Sequence, residues 1–154
     1  MRKAFSILTA IFIIVLMATV AAFIMNLAGK MVKETTTQFQ REQAVLIAKS
    51  YTEYAILGVT ANEHNSSNCL NNITGGYGDD GSGNYVYNVD VNISYIGNNL
   101  NGSCSRILNT NAITTPKSPL NIILDVFVSY KDIDNPAGAS APDITYHRRS
   151  LQKI

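Results

Sequence analysis

The chain has 154 residues, with 12 Lys and Arg against 11 Asp and Glu and a net charge of +1. That length holds one ordinary domain, and balanced, scattered charge lacks the basic footprint of a nucleic-acid binder. Neither histidine, His64 or His147, stands at a metal-ligand spacing from a cysteine, and no nucleophile elbow, phosphate loop or carboxylate pair occurs, so no enzyme is expected.

Met1, Arg2 and Lys3 form a short basic head. Between Ala4 and Gly29 no Asp, Glu, Lys, Arg or His occurs, and this run exceeds the roughly 20 apolar residues that cross a bilayer core. A membrane segment is therefore expected. From residue 30 to 57 the chain has no proline, and Val32, Phe39, Leu46, Tyr54 and Leu57, with Ile47 and Tyr51, recur at helical spacings. This predicts one helix over residues 5–57, on the order of 80 Å long, with that apolar face turned to a core. Asn26 and Gly29 are its expected weak points and Gly58 its stop.

Residues 59–83 are rich in Asn, Gly and Ser, and the cluster Gly75, Gly76, Gly78, Gly81 and Gly83 predicts a loop. The period then changes to two. Tyr85, Tyr87, Val89, Val91, Ile93 and Tyr95 alternate with polar residues, which predicts a strand with its odd-numbered face on the helix. A second strand is predicted over residues 120–130, with Leu120, Ile122, Leu124, Val126, Val128 and Tyr130 on one side. Weaker strands are predicted over 106–108 and 144–151, with a Pro- and Gly-containing loop over 132–143. The expected fold class is α+β: a long helix whose C-terminal half packs on an antiparallel β-meander.

Cys69 and Cys104 are the chain's two cysteines, and the Asn-, Ser- and Thr-rich composition suits an oxidising compartment, so a disulfide between them is expected. The other reading is two free buried thiols in a reducing compartment. Closing a loop of about 36 residues would stabilise the fold by about 4 kcal/mol in the chain-entropy model.

The N-terminal run Arg2-Lys3-Ala4-Phe5-Ser6-Ile7-Leu8 resembles the signal of type IV pilins and type II secretion pseudopilins: a short basic leader, a small residue, a Phe and an uncharged helix. The order of helix, loop, meander and disulfide is also similar to that family. The resemblance implies a leader over residues 1–4, a membrane and filament-core segment over 5–29, and a periplasmic pilin-like domain over 30–154. It implies cleavage by a prepilin peptidase between Ala4 and Phe5, then N-methylation of Phe5. Ala4 departs from the usual Gly, a substitution the family tolerates.

The family's Glu, four residues after the new N-terminus, is Thr9 here, so the ion pair it would make with a neighbouring subunit's amine is absent. By resemblance that absence marks a minor subunit at or near the filament tip. The implied partners are other pilin or pseudopilin subunits, the prepilin peptidase and the inner membrane. The implied location is a single-pass inner-membrane protein with its C-terminal domain in the periplasm, and an extracytoplasmic filament after processing. Two other readings stay open: an uncleaved, signal-anchored periplasmic ligand-binding domain, and a soluble protein cut near Ala21 or Ala22 by ordinary signal peptidase.

No cofactor is expected, and Ca²⁺ is the one ion the sequence suggests. Asp80, Ser82 and Asn84 offer oxygen ligands at alternate positions, although the closing Glu of a calcium loop is missing and a plain Gly-Asp turn fits the same residues. Sequons stand at Asn65, Asn72, Asn92 and Asn101; those at Asn65 and Asn92 have an acidic residue two positions earlier, which resembles the extended bacterial N-glycosylation sequon. His147, Arg148, Arg149 and Lys153 make the last strand basic, as a charge-protected sheet edge or as a partner surface.

Overall fold

A computed structural model describes residues 2–62, 69–79, 81, 84–97, 104–109 and 120–154; side chains are described from residue 7 onward, except at 108 and 109. Helix α1 (Arg2–Ala61) is followed by β1 (Asn72–Asp79), β2 (Tyr85–Gly97), β3 (Ile107–Asn109), β4 (Leu120–Lys131), a short 3₁₀ turn (Gly138–Ser140) and β5 (Asp143–Lys153). The chain divides into two compact units, Met1–Phe39 and Gln40–Ile154.

The first unit is helix alone. It runs unbroken through Asn26, whose amide donates back to the Ala22 carbonyl at 3.1 Å, and through Gly29. Its apolar side chains are exposed all round, from Ile7 (64% exposed) to Met25 (77%), and its most apolar window has no surface buried within the chain. By length and composition the helix can cross a membrane.

The second unit is the end of α1 with the sheet, an α+β layout. The strand order is β1-β2-β4-β5, antiparallel throughout, and β3 pairs parallel with β2 through Tyr95 and Ile107. Two sequence expectations are corrected here. Part of the predicted glycine-rich loop is strand β1, in register with β2 from Asn72 opposite Asn92 to Asp79 opposite Tyr85. The predicted strand at 106–108 joins β2 in parallel, so the strands do not form a simple meander.

Glycine is what fits β1 between its neighbours: a Cβ on Gly75 would meet the Tyr51 ring from the helix, and one on Gly76 would meet the Tyr85 ring from β2. Strand β2 buries its predicted odd face (Tyr87, Val89, Val91, Ile93, Tyr95), whereas Tyr85 stays exposed over Gly76. Strand β4 buries Ile122, Leu124, Val126, Val128 and Tyr130. Ile93, Ile122 and Leu124 are fully buried, each contributing about 1.5–3 kcal/mol.

The helix meets this sheet with a face that matches the predicted one only in Ile47 and Tyr51, which pack on the core. Ala44, Ala48, Ala55 and Val59 are fully buried, with Ile47 and Thr52 nearly so, while Leu46, Tyr54 and Leu57 are 59–65% exposed. In the first unit, Val32 and Phe39 are exposed as well. The reason is volume. The sheet already supplies large side chains, and Tyr87 and Tyr130 pack with ring centroids 5.4 Å apart. Small residues on the helix leave room for those large side chains. Gly58 does not end the helix, which continues to Ala61; a Cβ there would press on the Leu70 side chain.

Candidate functional site

On the helix of the second unit, 3.6 residues per turn place Leu46 and Leu57 on the side opposite Ala44, Ala48 and Ala55. Tyr54 borders the same side. Beside Leu46 lies a hollow of ≈ 270 Å³ walled by Gln43, Ile47, Ser50, Tyr51 and Tyr77. Tyr77 itself is 56% exposed. The helix thus carries a small-residue face used by the sheet and, on the other side, large apolar residues left to solvent at Leu46 and Leu57, with Ser50 and Glu53 between them. A side chain such as Leu57 contributes nothing to this core, and exposed apolar surface of that kind is suited to packing against another chain.

The predicted disulfide is present: Cys69 and Cys104 are bonded, with Cα atoms 5.1 Å apart and a sequence separation of 35. Cys104 is buried, and both cysteines pack on the main core. Around the bridge, Tyr95 donates its hydroxyl to the Leu70 carbonyl (2.5 Å), the Ser105 N–H donates to Asn71 Oδ1 (2.8 Å), and the Tyr95 N–H donates to the Arg106 carbonyl (2.8 Å). Burial pushes the Tyr95 hydroxyl up to about 12. Loop and strand are thereby tied at one end of the sheet.

The outer face of the sheet holds a cluster centred on Asp125. The β4–β5 register sets Asp125 opposite Arg149 and Phe127 opposite His147. Arg149 donates from Nε and Nη2 to the two carboxylate oxygens (2.7 and 2.8 Å), His147 Nε2 lies 2.7 Å from Oδ1, and the His147 ring stacks on Phe127 at 4.4 Å. The paired Arg149 guanidinium, aided by His147, holds the Asp125 carboxyl below its ordinary value against the opposing effect of burial. This cluster stiffens the pairing of the last two strands.

Of the residues singled out in the sequence, Ala4 and Phe5 lie within α1 by backbone, and Thr9 is exposed on it. Asp80 and Ser82 of the suggested calcium loop, and Asn65 with its sequon, lie outside the described residues. Nearby, the Gly81 N–H donates to Asp79 Oδ1 at 2.8 Å, the signature of a plain Asp turn. No group of three or more His, Cys, Asp or Glu suited to a metal occurs among the described residues. Asn92 sits in the middle of the sheet, between Asn72 and Asp125, and Asn84 stands just before β2. Leu46, Tyr54 and Leu57, expected on the core, face solvent instead, and nothing in the sequence pattern marks Asp125 as the centre of a cluster. Compared with known proteins, the chain matches no family model, no curated protein and no solved structure at a significant level.

Proposed function

We propose that this chain is a minor pilin-like or pseudopilin-like subunit: stored in the inner membrane with its sheet domain in the periplasm, cut between Ala4 and Phe5, and packed into a filament through its helix. The observation that carries the reading is the helix itself. It has 60 residues, about three times what a bilayer core needs, and it keeps large apolar side chains exposed beyond the uncharged segment, at Leu46, Tyr54 and Leu57. A plain membrane anchor has no use for that outer stripe, whereas a helix surrounded by other helices does. The N-terminal motif adds its resemblance to the pilin signal, and the disulfide fits an oxidising compartment.

Thr9 in place of the family's Glu favours a position at or near the tip, where no subunit above requires a carboxylate for its amine. Other subunits of the same kind, the prepilin peptidase and the inner membrane are the partners this reading requires. A photo-crosslinking amino acid placed at Leu46 or Leu57 in the native host tests it. Adducts with pilin-like subunits, lost when the peptidase is inactivated, are expected; a chain that stays uncrosslinked, or crosslinks equally without the peptidase, would argue for a solitary anchored domain.

A further inference from the structure

Strand β5 is an outermost strand of the sheet, and among the described residues nothing pairs with its free side. It runs in unbroken register with β4 over eleven residue pairs, from Asn121 opposite Lys153 to Lys131 opposite Asp143. The next pair outward is hydrogen-bonded, the Ile154 N–H donating to the Leu120 carbonyl at 3.0 Å. Antiparallel alternation then turns the main-chain groups of Ile144, Tyr146, Arg148, Ser150 and Gln152 toward β4, and those of Thr145, His147, Arg149, Leu151 and Lys153 outward. The opposite edge differs: β1 has eight residues, three of them glycine, and Gly78 sits at φ 74. β5 carries no proline, glycine or bulge to blunt its edge.

The side chains of β5 are as one-sided as its backbone. With Arg149 paired to Asp125, the strand still carries Arg148 and Lys153 against Asp143 as its one acidic residue. On the core-facing side, Arg148 Nε and Ser150 Oγ are buried and have no hydrogen-bond partner. Both atoms can donate and lie on adjacent residues of the same face, so an incoming acceptor would satisfy them. A second copy of β5 is a poorer occupant, because the central antiparallel registers set Arg148 opposite Arg148 or Arg149 opposite Arg149.

We propose that the open edge of β5 is a docking site for an extended acidic segment of a partner protein, added to the sheet as a further strand. Main-chain bonds to the outward groups from Thr145 to Lys153 supply the affinity. Carboxylates on the Arg148 face of the added strand supply the selectivity. Arg149 and His147 stay committed to Asp125, which keeps the strand straight while it is extended.

The test uses the full chain in detergent micelles and a fluorescent eight-residue peptide of alternating Glu and Val. Saturable binding at least tenfold tighter than that of the Lys-Val counterpart is expected, weakening as salt rises. Backbone N-methylation of one alternate set of peptide residues should abolish binding, while methylation of the other set leaves it intact. Thr145→Pro removes an outward N–H without touching the β4 ladder, and Arg148→Glu reverses the charge; each should weaken binding at least tenfold with thermal unfolding retained. No binding at millimolar peptide, equal binding of the lysine peptide, or equal sensitivity to both methylation patterns would overturn the proposal.

Discussion

Exchanging the two faces of the helix gives opposite outcomes for residues two positions apart. Leu46 is 63% exposed and Leu57 65%, so truncating either to Ala removes little buried surface and is expected to cost below about 1 kcal/mol in the dispersed subunit. Ala48 and Ala55 are fully buried against a sheet that leaves no room, and Ala48→Leu inserts three heavy atoms there. Overpacking of that kind costs about 1–3 kcal/mol. Leu124→Ala, a cavity in the same core, sets the scale at about 2–5 kcal/mol. Urea unfolding of the detergent-dispersed chain, followed by circular dichroism and tyrosine fluorescence, gives the three midpoints. The expected order of destabilisation is Leu124→Ala, then Ala48→Leu, then Leu46→Ala. A Leu46→Ala variant as unstable as Leu124→Ala would mean that the leucine face meets the sheet, and the helix orientation described above would be wrong.

Other outcomes follow from the same structure. Breaking the Cys69–Cys104 bridge with reductant, or as Cys69→Ala/Cys104→Ala, frees a 35-residue span and is expected to lower stability by about 4 kcal/mol, read from the shift in urea midpoint. The Tyr95 hydroxyl rises from 10.0 to about 12 on folding, so its share of stability is complete below pH 10 and lost as pH climbs toward 12; Tyr95→Phe should flatten that alkaline loss in a thermal-melt series. Asp125 has the opposite sign. Its carboxyl is lowered from 3.8, so its contribution is present above that value and fades as pH falls through the folded one; Asp125→Ala should cost about 1.5–3 kcal/mol at pH 7 and remove part of the acid sensitivity of the melting temperature. Gly76→Ala would drive a methyl into the Tyr85 ring, and a fall in melting temperature that Tyr85→Ala relieves is expected.

Alternation was the most legible signal. The odd face of β2 and the even face of β4 could be read because period two over ten or more residues leaves few alternatives, and the membrane-length segment because it carries no charge. The helix face is only partly legible, at Ile47 and Tyr51, for a physical reason: Ala44, Ala48 and Ala55 form an apolar stripe as regular as that of Leu46 and Leu57, and a hydrophobic count favours the larger residues. Which stripe packs depends on the volume already filled by Tyr87, Tyr95 and Tyr130, a property of the partner layer. Strand β1 was hidden by Gly75, Gly76 and Gly78, residues that usually mark turns but here admit Tyr51 and Tyr85 on either side. The Asp125 cluster joins residues 22 and 24 positions apart, and only the β4–β5 register brings them together.

The proposed filament role turns on one chemical event at the start of the chain. Intact mass and terminal sequencing of the protein from its native membranes would read it directly. The account predicts a mature chain beginning with N-methyl-Phe5. An intact Met1, or a start near Ala22 or Phe23, would contradict it and leave respectively an anchored domain or a secreted one.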